Sequence, residues 1–143
     1  MKKIFCILFL LIASVVQGQN AGVKKTIETF FEGFHTRDTV IIKSVCGDKM
    51  ILQSIAEVLK GNKFSNESSK EFYISIAKIP KDVVVEEKIL SYNIQVDGTM
   101  AHVWTPYEFY MNGKLSHYGV NAFTLFKENE KWKIIYVIDT RRK

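Results

Sequence analysis

A chain of 143 residues that is 47% hydrophobic and 13% aromatic, with two prolines, can bury one core and has no room for a second ordinary domain. That composition excludes disorder, collagen and low-complexity repeats. The formal net charge of +5 is small and dispersed, and only Arg141-Arg142-Lys143 are adjacent at the end, so no nucleic-acid-binding stripe is present.

The chain opens with an address. Met1-Lys2-Lys3 is positive, Ile4 to Val16 is almost unbroken apolar sequence, and Val16-Gln17-Gly18 suits a signal peptidase, so residues 1–18 read as an export signal cleaved after Gly18. The apolar run falls short of the about 20 residues that a permanent span needs, and no later stretch is long and apolar enough. Residues 19–143 are therefore expected to form a single exported domain, periplasmic or secreted, without a membrane anchor. Cys6 leaves with the signal and Cys46 stays alone, which excludes an intramolecular disulfide and suits a small buried side chain near a helix end. No activating neighbour marks it as a catalytic thiol. Asn66-Glu67-Ser68 matches a glycosylation acceptor, of consequence only in a eukaryotic source.

Val23, Ile27, Phe30, Phe31 and Phe34 recur at helical spacing between charged residues and predict an amphipathic first helix ending near His35. Thr36-Arg37-Asp38 reads as a break and a fresh cap. Residues 39–46 are β-branched, which favours a strand, yet Asp38 and Gly47 bracket one short helix; both readings stand. Met50, Leu52 and Ile55 suit a short strand, and Gly61-Asn62-Lys63 a loop. Ser68-Ser69-Lys70-Glu71 forms a capping box before a second helix carrying Phe72, Ile76 and Ile79 on one face and stopped by Pro80.

From Val83 the period changes to two. Leu90, Tyr92, Ile94 and Val96 alternate with polar residues, and Asp97-Gly98 and Asn112-Gly113 are strong hairpin dipeptides. Four long antiparallel strands are predicted at 84–96, 99–111, 114–127 and 131–140. Two-residue loops set Val96 opposite Thr99 and Met111 opposite Lys114. That register puts Tyr107, Tyr118, Val120 and Ala122 on one face, and Trp104, Glu108, His117, Asn121 and Phe123 on the other. It makes Glu108 and His117 cross-strand neighbours. Pro106 marks an edge or bulge, and one extra residue there would exchange the faces.

Three segments carry a family likeness: Ile27 to Phe34, the strand Ala101-His102-Val103-Trp104-Thr105-Pro106-Tyr107-Glu108-Phe109-Tyr110, and His117-Tyr118-Gly119-Val120-Asn121-Ala122-Phe123. With Trp132-Lys133-Ile134-Ile135 and Asp139-Thr140-Arg141-Arg142 closing the chain, the sequence resembles the lumazine-binding family of the nuclear transport factor 2-like superfamily. The resemblance implies an α+β cone, N-terminal helices packed on a strongly curved antiparallel sheet, with a pocket at its wide end and dimerisation through the sheet's other face. It selects no reaction, because relatives include isomerases, dehydratases, cyclases and domains without known activity.

The candidate ligand-binding residues are Trp104, Tyr107, Glu108, His117, Asn121 and Asp139. Asp139 interrupts the apolar run Ile134 to Ile138, as a pocket carboxylate or as a partner of Arg141. His117 beside Glu108 would be a carboxylate-oriented base or an ordinary polar pair. Trp104, Tyr107, Tyr110 and Tyr118 offer rings for a flat heterocycle, or for a core or dimer interface. His35 and His102 are further candidates to line a cavity, although His35 better suits the carbonyls at its helix end. His35, His102 and His117 lack metal-ligand spacing, and no phosphate loop or serine elbow is present, so neither metal nor cofactor is expected. Three functions follow: binding of a small, partly apolar molecule by a homodimer; an isomerase or dehydratase with His117 or Asp139 as base and Tyr107 as oxyanion donor; and a non-catalytic interaction module.

Overall fold

The computed structural model describes the backbone of residues 2–143 and the side chains from residue 18 onward. The predicted export signal, residues 1–18, therefore lies outside the described side chains but for Gly18. No described helix is long and apolar enough to cross a membrane.

Helix α1 spans Lys2–Thr36. Its predicted apolar stripe is buried, with Val23 and Ile27 fully enclosed and Phe30 and Phe31 nearly so. Arg37 takes a left-handed φ of 58°, and Asp38 Oδ1 then accepts the amides of Val40 at 2.9 Å and Ile41 at 3.2 Å, which starts α2, Thr39–Val45. The cap decides between the two readings of this β-branched segment, because it satisfies two orphan amides and turns Ile42 into the core. Gly47 does not stop the helix; Cys46 begins strand β1, Cys46–Ala56.

Gly61 and Asn62 form the predicted loop, and strand β2, Lys63–Ser68, begins at its last residue and takes in the residues after it. Its side chains are almost all exposed, so backbone pairing with β1 makes it a strand. Ser68 caps α3, Ser69–Ala77, through the reciprocal box with Glu71, and Phe72 and Ile76 face inward. The predicted strand 84–96 is two strands, β3 (Val85–Ile89) and β4 (Asn93–Asp97), both paired with β5 (Met100–Met111). Pro106 stands opposite the break between them, where no amide is needed, and its carbonyl accepts Leu90 N–H at 2.9 Å. Strands β6 (Lys114–Glu128) and β7 (Lys131–Arg141) complete the sheet.

The order is β2-β1-β7-β6-β5-β3, with β4 on the same edge of β5. The sheet is mixed, not antiparallel throughout, because β1 runs parallel to β7. It curls around α1, whose Phe30 and Phe31 meet Phe123 edge to face at 6.0 Å.

Two registers differ from expectation. Val96 pairs with Ala101, a shift of two residues that leaves the faces unchanged. Met111 pairs with Lys114 as predicted, but the ladder then slips: Tyr110 pairs with Leu115 and Phe109 with His117. The extra residue, Ser116, is a bulge. Glu108 therefore faces Tyr118, not His117, and beyond the bulge the faces of β6 are exchanged relative to the predicted register. His117, Asn121 and Phe123 join Tyr107 on the concave side.

Candidate functional site

The curved sheet, α1 and α3 enclose a cavity of about 860 Å³ that opens to solvent. Its apolar wall is aromatic: Phe30, Phe31, Phe34, Phe72, Phe109 and Phe123. Its polar wall comes from one layer of the sheet. Alternation brings Glu87 from β3, His117 and Asn121 from β6, and Asp139 and Arg141 from β7 to the same side, and Asn121 and Asp139 are direct cross-strand partners.

These side chains are tied into two linked groups. Asn121 Nδ2 donates to Glu87 Oε1 at 2.7 Å, and the Glu87 amide donates to His35 Nε2 at 2.9 Å. Arg141 Nε donates to Asp139 Oδ2 at 2.7 Å, while the Tyr107 hydroxyl lies 3.2 Å from that oxygen and 2.9 Å from the Thr140 carbonyl that it also faces. Asp139 is 8% exposed, Asn121 5% and Tyr107 2%. His117 stacks on Phe109 with ring centres 4.7 Å apart, and its Nδ1 lies 3.2 Å from Ser116 Oγ.

Enclosure sets the protonation states. Burial pushes the Glu87 carboxyl from its ordinary 4.5 up to about 7; the Asn121 hydrogen bond and Arg141 oppose this, and Asp139 adds to it. Burial lowers His117, helped by Arg141, and lowers His35, so both rings favour the neutral form. Burial, then the charges of Asp139 and Glu87, raise the Tyr107 phenol far above its usual range, so it remains a hydrogen-bond donor.

Of the six sequence candidates, the cavity is lined by His117, Asn121 and Asp139, with Tyr107 directly behind Asp139. Trp104 lies on the opposite face beside Asn93, Gln95 and His102, 50% exposed. Glu108 also points away, accepting the Tyr110 hydroxyl at 2.8 Å. His35 accepts an amide proton from β3 and does not serve the carbonyls of its own helix end. Sequence reasoning missed Glu87. The signal was there: Val85, Glu87 and Ile89 share one face of β3, so a carboxyl stands where the alternation calls for an apolar side chain. Among the described residues, no three His, Cys, Asp or Glu side chains converge closely enough to hold a metal ion.

No protein-family model matches the chain, and no curated protein matches it. Solved structures do. A protein of unknown function from Mycobacterium tuberculosis superposes with a TM-score of 0.73 at 10% identity, covering 92% of this chain and 76% of its own. A nuclear transport factor 2-like protein from Cytophaga hutchinsonii gives 0.69 at 12% identity over 87% and 98% of the two chains. A member of that fold family from Streptomyces avermitilis, named a candidate dehydratase, gives 0.68 at 14% identity over 89% and 98%. At such identities the likeness is one of fold, and the fold is nuclear transport factor 2-like: α+β, with N-terminal helices packed on a curved, mixed, seven-stranded sheet.

Proposed function

We propose that this chain is an exported domain that holds a small, partly apolar molecule in its cone without transforming it. The carrying observation is the cavity: about 860 Å³, aromatic on one wall and with convergent polar groups on the other, the usual size and make-up of a ligand site. The polar groups are already fixed by one another, Asp139 between Arg141 and Tyr107 and Asn121 on Glu87, which suits holding and orienting a guest. Export rests on Met1 to Gly18, and the finer family reading, lumazine-binding, on the strand motifs quoted above. Homodimerisation is proposed through the convex face, where Trp104, Tyr118 and Ile135 are exposed.

Protein purified from its own host, denatured and analysed by mass spectrometry, should release a compound in a fixed ratio to protein. Ser75→Trp, which puts a ring into the lining, should abolish that release while the fold persists. Release unchanged by the substitution would count against the cone as the site.

A second reading is an enzyme of the isomerase or dehydratase type. What favours it is that His117, Asp139 and Tyr107 lie on the same face around one cavity. Asp139 Oδ2 is occupied by Arg141 and Tyr107, so in this reading the neutral His117 ring is the base. Loss of turnover in His117→Ala, with ligand release unchanged, would favour the enzyme over the binder.

A further inference from the structure

We propose that the cone's guest is an organic cation, an amine on a flat or branched apolar body, whose ammonium group is received by the Glu87 carboxylate. This deepens the ligand-binding reading above and rests on it.

The charges of the lining are opposite to those of the molecule. The chain as a whole carries +5, yet the ionisable acids and bases lining the cavity, His117 aside, are Glu67, Glu71, Glu87 and Asp139 against Arg141. Arg141 is committed to Asp139 by the 2.7 Å ion pair, and among the described residues Glu67, Glu71 and Glu87 have no ion-pair partner. An anion entering would meet carboxyl groups of its own sign; exposed Glu71, held by Ser68, and partly buried Glu67 are screened by solvent, whereas repulsion from Glu87 on the enclosed wall is weakly screened. A cation would supply what the lining lacks.

Geometry favours an organic cation over a metal ion. The carboxyl groups are spread over β2, α3, β3 and β7 and do not converge in the way chelation requires. Glu87 is set apart from the others. It sits on the enclosed polar wall, with Asn121 on Oε1 and, among the described residues, no hydrogen-bond partner on Oε2. Its cross-strand partner Phe109 and the neighbouring Phe34 are half-buried rings lining the same cavity, and aromatic faces attract a desolvated ammonium as well as an apolar body.

Every ionisable group that faces Glu87 is already in place. Asp139 opposes its ionisation, Arg141 favours it, Tyr107 stays a neutral phenol behind Asp139, His117 is the imidazole on the same wall, and His35 engages its amide from α1. Without a guest the carboxyl titrates near pH 7. Binding of a cation should therefore release a proton from Glu87 below that point, and affinity should rise about tenfold per pH unit until the carboxyl is ionised.

The test uses three matched probes on the full exported chain: 1-naphthylmethylammonium, 1-naphthalenemethanol and 1-naphthoate, measured by calorimetry between about pH 5.5 and 8. The expected result is ammonium tighter than alcohol by about tenfold or more at the alkaline end, naphthoate weakest, and an ammonium advantage that shrinks on acidification. Glu87→Gln keeps the acceptor for Asn121 and should bring ammonium and alcohol to the same affinity at every pH. Naphthoate binding as tightly as the ammonium, or an ammonium preference that survives Glu87→Gln, overturns the cation assignment and leaves the pocket standing. Failure of all three to bind overturns the pocket reading as well. The probe comparison on the unsubstituted protein stands even if the variant does not fold.

Discussion

At the scale of single residues, Glu87 controls the account. A carboxyl raised by burial from 4.5 to about 7 binds its proton more tightly folded than unfolded, so its contribution to stability is complete below 4.5 and is lost as pH rises to about 7. Glu87→Gln removes that loss. Denaturant titrations should show variant and parent equal near the acid end of this window. The variant should then gain by about 2 kcal/mol above pH 7, a figure discounted for the carboxyl's partial contact with solvent in the cavity. A difference that does not grow with pH would contradict the environment assigned to Glu87. His35 and His117 pull the other way, since lowered imidazoles lose stability as pH falls below their ordinary 6.5. Cys46 is a second residue-scale case. It is 5% exposed, and burial pushes its thiol up to about 12, against a smaller opposing pull from Tyr73 and Lys133. It should resist iodoacetamide in the native protein at neutral pH and react fully in denaturant; rapid native labelling would contradict its burial. Composition foretold this thiol, whereas Glu87 needed the parity of β3 to be read, and polar neighbours obscure that parity.

At the scale of elements, local signals served best where the chain interacts with itself nearby. The cap at Asp38, the box at Ser68 and Glu71, and the turn at Asn112-Gly113 all appear where their chemistry predicts them. Signals failed where pairing is remote. Strand β2 has an exposed surface and no apolar period, and the parallel contact of β1 with β7 joins segments far apart in sequence. The Ser116 bulge is likewise silent, because nothing in Lys114 to His117 departs from ordinary strand chemistry; yet it decides that His117 and Asn121 face the cavity. Gly119 is the element-scale test. A Cβ there would stand 1.8 Å from the Thr140 carbonyl oxygen, which is also the acceptor of the Tyr107 hydroxyl. Gly119→Ala should force β7 away from β6 and cost about 3 kcal/mol, the upper range for overpacking. A melting temperature unchanged by this substitution would contradict the close approach of the two strands.

For the whole molecule, the sequence signals and the structure agree on helices followed by a curled sheet, and differ on how the sheet closes. The mixed seven-stranded sheet wraps a space that α1 and α3 line with phenylalanines and do not fill. Because that space opens to solvent, an unliganded cone holds water against aromatic surface, and an apolar body that displaces the water is favoured. The size of the cone, its aromatic lining and its surplus of carboxyl groups are the features on which the proposed organic-cation guest rests. The most direct measurement is a high-resolution crystal structure of the chain purified from its own host. The account predicts continuous non-protein density running from the Glu87 carboxyl to the half-buried Phe34 and Phe109 rings; a cavity collapsed by its own side chains, with Phe34 and Phe109 packed into the space, would contradict it.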